Sequence, residues 1–169
     1  MKFVTFIILS ILLTSCWPSS VSFNDTGSIP PEWQYFTLSN LENNAPNSPI
    51  NFSGFLSDKI RDGIQNNTRL KLSNNKNDGE IRLEGAITNY NITPVAIQIG
   101  DNVAKNRLTV NCNIKINVIK PKEMEMTVTS SRFVDYPTEK NFSEIESDLN
   151  EQISQQIVQD VINKILSNW

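Results

Sequence analysis

The chain of 169 residues contains no histidine, and this absence restricts the chemistry that it can perform. Histidine is the commonest general base and a frequent metal ligand, so Ser-His-Asp triads and histidine-containing metal sites are excluded. The sequence also lacks a Gly-x-Ser-x-Gly elbow and a glycine-rich phosphate loop. We therefore predict a protein that is not an enzyme and that needs no metal or dissociable cofactor.

Cysteine and positive charge are scarce as well. The chain has only Cys16 and Cys112, and because Cys16 is assigned below to a lipid, an intramolecular disulfide is not expected. Cys112 stands on the apolar side of an alternating strand pattern, which is typical of a small core residue. The net charge of −3 indicates that nucleic acid is not a partner.

Long apolar runs are absent except at the N-terminus. Lys2 precedes an apolar segment, residues 3–13, and a Leu-Thr-Ser-Cys tetrapeptide that resembles a bacterial lipobox ends at Cys16. About 11 apolar residues cannot cross a bilayer that needs about 20, so a transmembrane helix is not favoured. An ordinary signal peptide followed by a coincidental cysteine is the other alternative. We predict that residues 1–15 are a signal peptide and that Cys16 carries a diacylglycerol and a further acyl chain.

The residues after Cys16 predict the location of the protein. No acidic residue stands at the position that commonly retains lipoproteins on the inner membrane. Because two or three acyl chains anchor a protein stably, we expect a lipid-anchored protein at the periplasmic face of an outer membrane. Residues 16–31 contain several prolines and are predicted to be a tether, and residues 32–169 have the size of one domain.

Apolar residues at helical spacing predict two helices. The first covers residues 51–66, and the second begins after Asn141 or Ser143 and continues nearly to Trp169. Trp33 and Trp169 flank the predicted domain, and each could either anchor a partner or close an end of the core.

Alternating apolar and polar residues predict the strands of a sheet with one dry and one wet face. The clearest alternation runs over residues 107–118, and further strands are predicted near residues 33–41, 81–94 and 124–136. Residues 69–72 could form a short strand. Gly85 within one of them indicates a bulge or close packing. The predicted fold class is α+β, a two-layer sandwich of two helices on a mixed sheet of about four strands.

Basic side chains near the wet face are the candidate ligand-binding group. They are Lys105, Arg107, Lys115 and Arg82. Such a group could bind phosphates or carboxylates through charge-assisted hydrogen bonds. The alternative is an ordinary solubilising sheet surface, on which Glu80 and Glu84 balance the positive charge.

Several segments of the chain, in this order, resemble the LptE family of lipopolysaccharide-assembly lipoproteins. They include Phe36-Thr37-Leu38, the run from Gly79 to Ile87, Asn106-Arg107-Leu108-Thr109-Val110, Arg132-Phe133, Asp135-Tyr136, and the run from Gln156 to Asn163. The resemblance implies a non-catalytic subunit of the outer-membrane lipopolysaccharide translocon that supports and plugs an LptD-type β-barrel. It also implies lipopolysaccharide as a ligand, for which Arg107 is the first candidate contact. A free periplasmic carrier of lipid or glycan is the alternative function.

Overall fold

The structure, a computed structural model, describes residues 29–75, 79–95 and 104–167. The predicted signal peptide, Cys16, the first part of the predicted tether and Trp169 lie outside the described residues. None of the helices within these ranges is both long and apolar enough to cross a membrane.

The described residues form two helices and six strands. In chain order these are β1 (Tyr35–Leu38), β2 (Glu42–Asn43), α1 (Phe52–Asn67), β3 (Lys71–Leu72), β4 (Ile81–Val95), β5 (Lys105–Val118), β6 (Met124–Pro137) and α2 (Phe142–Leu166). The prediction of an α+β sandwich of two helices on a mixed sheet is confirmed. The sheet has six strands and not about four. Strand β3 falls within residues 69–72, where a short strand was expected, and β2 has only two residues and is too short to show alternation.

The sheet is mixed because α1 carries the chain back, so that β3 and β4 run parallel to β1. The strand order is β3-β1-β4-β5-β6, and β2 pairs with β4 beyond the end of β1. Strand β1 pairs in parallel with β3 and β4, and β2 pairs in parallel with β4, whereas β4, β5 and β6 form an antiparallel meander. The long strands β4, β5 and β6 therefore build one continuous surface on each side of the sheet.

The helices cover one face of this sheet and bury its alternating apolar residues. On β5 the six apolar side chains from Leu108 to Val118 are at most 3% exposed. The apolar stripe of α2, which includes Ile153, Ile157 and Val161, is fully buried against them. Burying a side chain of this size stabilises a fold by about 1.5–3 kcal/mol, so this interface contributes strongly to the stability.

The start of α2 is fixed by a local capping interaction. The side chain of Asn141 accepts a hydrogen bond from the backbone N–H of Ser143 at 3.2 Å. Of the two predicted caps, Asn141 is therefore the one that the structure uses. The acidic Glu144 in the first turn and Lys164 in the last turn both suit the helix dipole.

Close packing, one of the two features predicted at Gly85, is confirmed there. A Cβ atom at Gly85 would lie 2.3 Å from the carbonyl oxygen of Asn113 in β5. The irregularity in register comes slightly later in β4, between Ile87 and Asn89. Only a residue without a side chain allows the two strands to approach this closely.

The segment that leads into the domain, residues 29–33, is packed against it. Ile29, which falls inside the predicted tether, is 4% exposed, and Arg69 donates a hydrogen bond to its carbonyl oxygen at 2.6 Å. Trp33 is 1% exposed, and its indole N–H donates to the carbonyl oxygen of Lys120 at 2.7 Å. Of the two alternatives for Trp33, the structure therefore favours closing the end of the core.

Candidate functional site

The sheet surface opposite the helices, termed here the uncovered face, is a broad polar surface built by β4, β5 and β6. Paired residues of an antiparallel sheet point to the same side, so the register defines this face. Its neutral members are Asn91, Thr93, Thr109, Asn111, Asn113, Asn117, Thr127, Thr129 and Ser131. Their amides and hydroxyls can each donate or accept hydrogen bonds without carrying charge.

An aromatic side chain and an ion pair form the best-defined feature of the uncovered face. Arg107 donates from Nε and Nη2 to the carboxylate of Asp135 at 2.7 and 2.9 Å. Its guanidinium group lies 3.7 Å from the ring centroid of Phe133, which is 49% exposed. The bidentate pair with Asp135 restricts the rotamers of Arg107, and the stacked Arg107 in turn restricts those of Phe133. We call Arg107, Phe133 and Asp135 the aromatic cluster.

The same pairing determines the charge state of the cluster. Hydrogen bonding from Arg107 lowers the pKa of the Asp135 carboxyl from its ordinary value, and the charges of Arg107 and Lys105 reinforce the shift. Asp135 is therefore ionised at neutral pH and cancels the charge of Arg107. What the cluster offers to a ligand or partner is an exposed aromatic edge beside an internally neutralised ion pair.

The structure divides the four predicted basic residues into two groups. Lys105 and Arg107 lie two residues apart on one side of β5, near Asp135. Lys115 lies eight residues beyond Arg107, which corresponds to about 26 Å along a strand. The four residues therefore do not form a single cluster.

The second group is balanced by carboxylates as well. Lys115 Nζ lies 3.9 Å from Glu125 Oε1, with both side chains more than half exposed, and Glu84 stands opposite Lys115 on β4. Arg82 is two residues from Glu84 and borders a cleft of about 450 Å³ near Glu80. Exposed pairs of this kind contribute little to stability, so their main effect is to remove net charge from the surface.

Glu80 has a structural task that its sequence context did not reveal. Its carboxylate accepts hydrogen bonds from the backbone N–H groups of Tyr35 at 2.7 Å and Gln34 at 3.2 Å. Partial burial alone would raise the pKa of Glu80, but these two hydrogen bonds lower it below its ordinary value. Glu80 thus fixes the start of β1.

Phe133 and Asp135 are the site residues that the sequence prediction missed. Both occupy odd-numbered positions of β6, whereas Val128 and Val134 hold the even, helix-facing positions. An aromatic residue on the polar side of an alternating strand is the signal that could have identified Phe133. The pairing of Asp135 with Arg107 could not be read without the register of β5 against β6.

Cys112 lies in the core, and the described residues hold no cluster of metal-binding side chains. Cys112 is fully buried, and burial raises the pKa of its thiol to about 12. Such a thiol is protonated and inaccessible at neutral pH, as expected of a core residue. Among residues 29–75, 79–95 and 104–167, no group of three or more cysteine and carboxylate side chains is placed to hold a metal ion.

Comparison with known structures supports the fold. A lipoprotein B of Nitrosomonas europaea matches with a TM-score of 0.53 and 11% identity over 89% of this chain and 92% of that one. The protein CT253 of Chlamydia trachomatis gives a TM-score of 0.56 and 10% identity over 80% and 99% of the two chains. The protein XCC0632 of Xanthomonas campestris gives 0.52 and 11% over 88% and 92%.

The comparison of sequences identifies the family. No curated protein matches the chain. The family model of LptE, described as lipopolysaccharide-assembly, matches residues 35–167, which is nearly the whole folded domain and includes the entire uncovered face. The chain therefore belongs to the LptE family of lipopolysaccharide-assembly lipoproteins.

Proposed function

We propose that this lipopolysaccharide-assembly lipoprotein is the non-catalytic subunit of an outer-membrane translocon, and that its uncovered face docks inside an LptD-type β-barrel. The observation that carries the proposal is the combination of a broad neutral polar face with the exposed aromatic cluster. Membership of the LptE family makes a barrel of the lipopolysaccharide machinery the fitting partner.

Desolvation energetics favour this face over other surfaces for docking. Removing an unpaired charge from water costs several kcal/mol, whereas Arg107 is already paired with Asp135 and Lys115 lies near Glu125. Arg107 and Asp135 keep their bidentate pair when water is excluded, and the amides and hydroxyls around them exchange water for polar groups of the partner. Phe133 adds apolar area that is exposed before docking.

The aromatic cluster has the properties of an interface hot spot. Hot spots are enriched in aromatic and arginine side chains that are rigid before binding. Phe133 meets both conditions, because Arg107 holds its ring from one side and Asp135 holds Arg107. Truncation of Phe133 should therefore weaken docking more than truncation of an equally exposed apolar residue elsewhere.

Lipopolysaccharide contact is a second element of the proposal. Lys105 and Arg107 form the best candidate pair for its phosphates, and Lys115 with Arg82 forms the other. Because carboxylates lie beside both pairs, a phosphate must compete with Asp135 or with Glu84 and Glu125. Charge reversal at Arg107 and Lys115 should weaken binding of lipopolysaccharide aggregates and leave the melting temperature largely intact.

The predicted anchor explains how the domain would be held at the membrane. The buried Ile29 is the thirteenth residue after Cys16, and an extended chain of that length spans at most about 45 Å. We expect Cys16→Ala to leave the domain folded and to release it from the periplasmic face of the outer membrane. Fractionation, with the melting temperature of the purified variant as the control for folding, tests this expectation.

A pull-down from outer membranes in mild detergent tests the docking proposal. The tagged full-length chain should retain a near-stoichiometric large β-barrel that is identified by mass as LptD-type. Phe133→Ala should reduce the yield of barrel about fivefold or more, the effect of losing at least 1 kcal/mol. Ile50→Ala is the control, since Ile50 is 96% exposed and stands two residues before α1, which packs on the opposite face of the sheet.

Two results would contradict the proposal. One is a correctly localised protein that purifies without any barrel, which would favour the alternative function of a free periplasmic carrier of lipid or glycan. The other is an equal yield of barrel with the Phe133 and Ile50 variants, which would place the interface elsewhere. The surface clefts do not favour the carrier, because the one of about 640 Å³ beside β6 is open and lined mainly by polar side chains.

A further inference from the structure

Four cationic side chains surround two neighbouring clefts at one end of the sheet, where β1 and β4 begin and β5 ends. Arg69 and Lys71 line a cleft of about 230 Å³, and Arg82 and Lys120 line one of about 450 Å³. Tyr35 lines both clefts, which are therefore adjacent. We call these five residues the anchor-end patch.

Positive charge dominates this patch, although the whole chain has a net charge of −3. Among the described residues that line the two clefts, Glu80 is the only carboxylate. It already accepts hydrogen bonds from the backbone N–H groups of Tyr35 and Gln34, and the charge of Lys120 also favours its ionised form. Four cations therefore face one carboxylate, and the patch attracts anions.

The chain enters the domain beside this patch. Arg69 donates from Nη2 to the carbonyl oxygen of Ile29 at 2.6 Å. The indole N–H of Trp33 donates to the carbonyl oxygen of Lys120 at 2.7 Å. The entry segment is thus held against residues of both clefts. Because Ile29 is the thirteenth residue after Cys16, a lipid on Cys16 would lie at most about 45 Å from the patch.

We infer that the anchor-end patch docks on the anionic phospholipid headgroups of the leaflet that holds the lipid anchor. The inference rests on the anchor predicted at Cys16, which keeps the patch within reach of that surface. Arginine and lysine side chains near a membrane are attracted to anionic headgroups. Tyr35 is 41% exposed between the cations, and tyrosine is enriched at the boundary between membrane and water.

This contact is compatible with docking of the uncovered face in a barrel. Arg107 lies eleven residues from Val118, the last residue of β5, which corresponds to about 36 Å along the strand. The aromatic cluster and the anchor-end patch therefore lie near opposite ends of the sheet. A tether that joins a domain inside a barrel to a lipid outside it must leave through the opening of the barrel. The end that carries the tether thus lies at this opening, level with the headgroups.

Vesicle binding of the full-length Cys16→Ala chain tests the inference, because this variant has no lipid to hold it. The vesicles contain phosphatidylcholine alone or equal parts of phosphatidylcholine and phosphatidylglycerol. At about 0.1 M salt, the chain should bind the anionic vesicles at least about tenfold more than the neutral ones. The apolar residues 3–13 contribute equally to both, so the excess measures the effect of charge.

Lys120→Glu and Lys140→Glu form a matched pair in this background. Both lysines are exposed, both substitutions change the net charge equally, and the two positions lie at opposite ends of the sheet. Lys120→Glu should lower binding to the anionic vesicles at least about fivefold, whereas Lys140→Glu should lower it less than about twofold. Addition of Lys71→Glu to Lys120→Glu should lower it about fivefold further. The melting temperature of each variant is the control for folding.

A fluorophore measures the orientation without removing any charge from the patch. It is attached at Gln34→Cys, beside the patch, or at Glu139→Cys, at the opposite end of the sheet about 45 Å away. Cys112 is buried and stays unlabelled. Quenching by a headgroup-bound quencher should rise at least about twofold from neutral to anionic vesicles at position 34 and should not rise at position 139.

Four results would overturn the inference. They are equal binding to the two vesicles, equal losses with the Lys120 and Lys140 variants, an equal rise in quenching at positions 34 and 139, and displacement of the chain from anionic vesicles by inorganic phosphate at constant ionic strength. The last result would identify a site for a soluble anion. Because the vesicles contain neither a barrel nor lipopolysaccharide and the variant carries no lipid, a failure of barrel docking or of the anchor prediction would not change these readouts.

Discussion

Gly85→Ala is the sharpest test of how the sheet is packed. A Cβ atom at this position would lie 2.3 Å from the carbonyl oxygen of Asn113 and 2.9 Å from Cα of Ile114. Both atoms belong to the backbone of β5, so no side-chain rotation relieves the clash. Strands β4 and β5 would have to separate by about 1 Å in the centre of the sheet, where the core is close-packed.

The expected loss is at the upper end of the range for overpacking. Overpacking a well-packed core typically costs about 1–3 kcal/mol. Because the added Cβ would clash with two backbone atoms that cannot rotate away, we expect a loss of at least about 3 kcal/mol in the free energy of unfolding. For a domain of this size, that corresponds to a fall in melting temperature of about 6–12 °C. Thermal unfolding of the purified chain, followed by circular dichroism, measures it.

Gly54→Ala provides the opposite expectation within the same molecule. Gly54 lies in α1, and no atom would be within 4 Å of an added Cβ. Alanine has the higher helix propensity by about 1 kcal/mol, so this variant should be slightly more stable. If both substitutions shift the melting temperature equally, then Gly85 is not required for the close approach of β4 and β5.

Three further predictions concern buried or paired groups. Burial opposes ionisation of Asp160, but hydrogen bonds from Arg132 and Ser130 lower its pKa below the ordinary value. Asp160→Asn should therefore lower the free energy of unfolding by about 1 kcal/mol at pH 7. This loss should vanish as the pH falls through the lowered pKa, and urea unfolding across pH measures it. Tyr90→Phe removes the hydroxyl that donates to Asn150 Oδ1 at 2.9 Å and should lower the free energy of unfolding by about 1–2 kcal/mol. The control is Tyr35→Phe, because Tyr35 is 41% exposed. If Tyr90→Phe is no less stable than Tyr35→Phe, Asn150 does not need this hydrogen bond. The buried thiol of Cys112 should react with iodoacetamide only in denaturant, and rapid labelling of the native chain at pH 7 would contradict its placement in the core.

The sequence by itself determined the layers of the domain. Alternation along β5 is strict, so its dry face could be assigned residue by residue, and the helical stripes of α1 and α2 identified what covers it. These patterns are readable because burial acts on each element separately, through a period of two or of 3.6 residues. The N-terminal anchor was likewise predicted from a local signal, and it stays a prediction because it lies outside the described residues.

The tertiary structure decided which residues meet across the elements. Arg107 was a candidate from its place on β5, but only the β5–β6 register showed that it pairs with Asp135 and stacks on Phe133. The four basic residues were expected as one group, and strand geometry separated them into two. Strand β2 escaped prediction because two residues carry no periodicity, whereas β3 falls within residues 69–72, where a short strand was expected. Partners across a sheet depend on strand order and register, which are fixed by the packing of the whole chain and not by any local pattern.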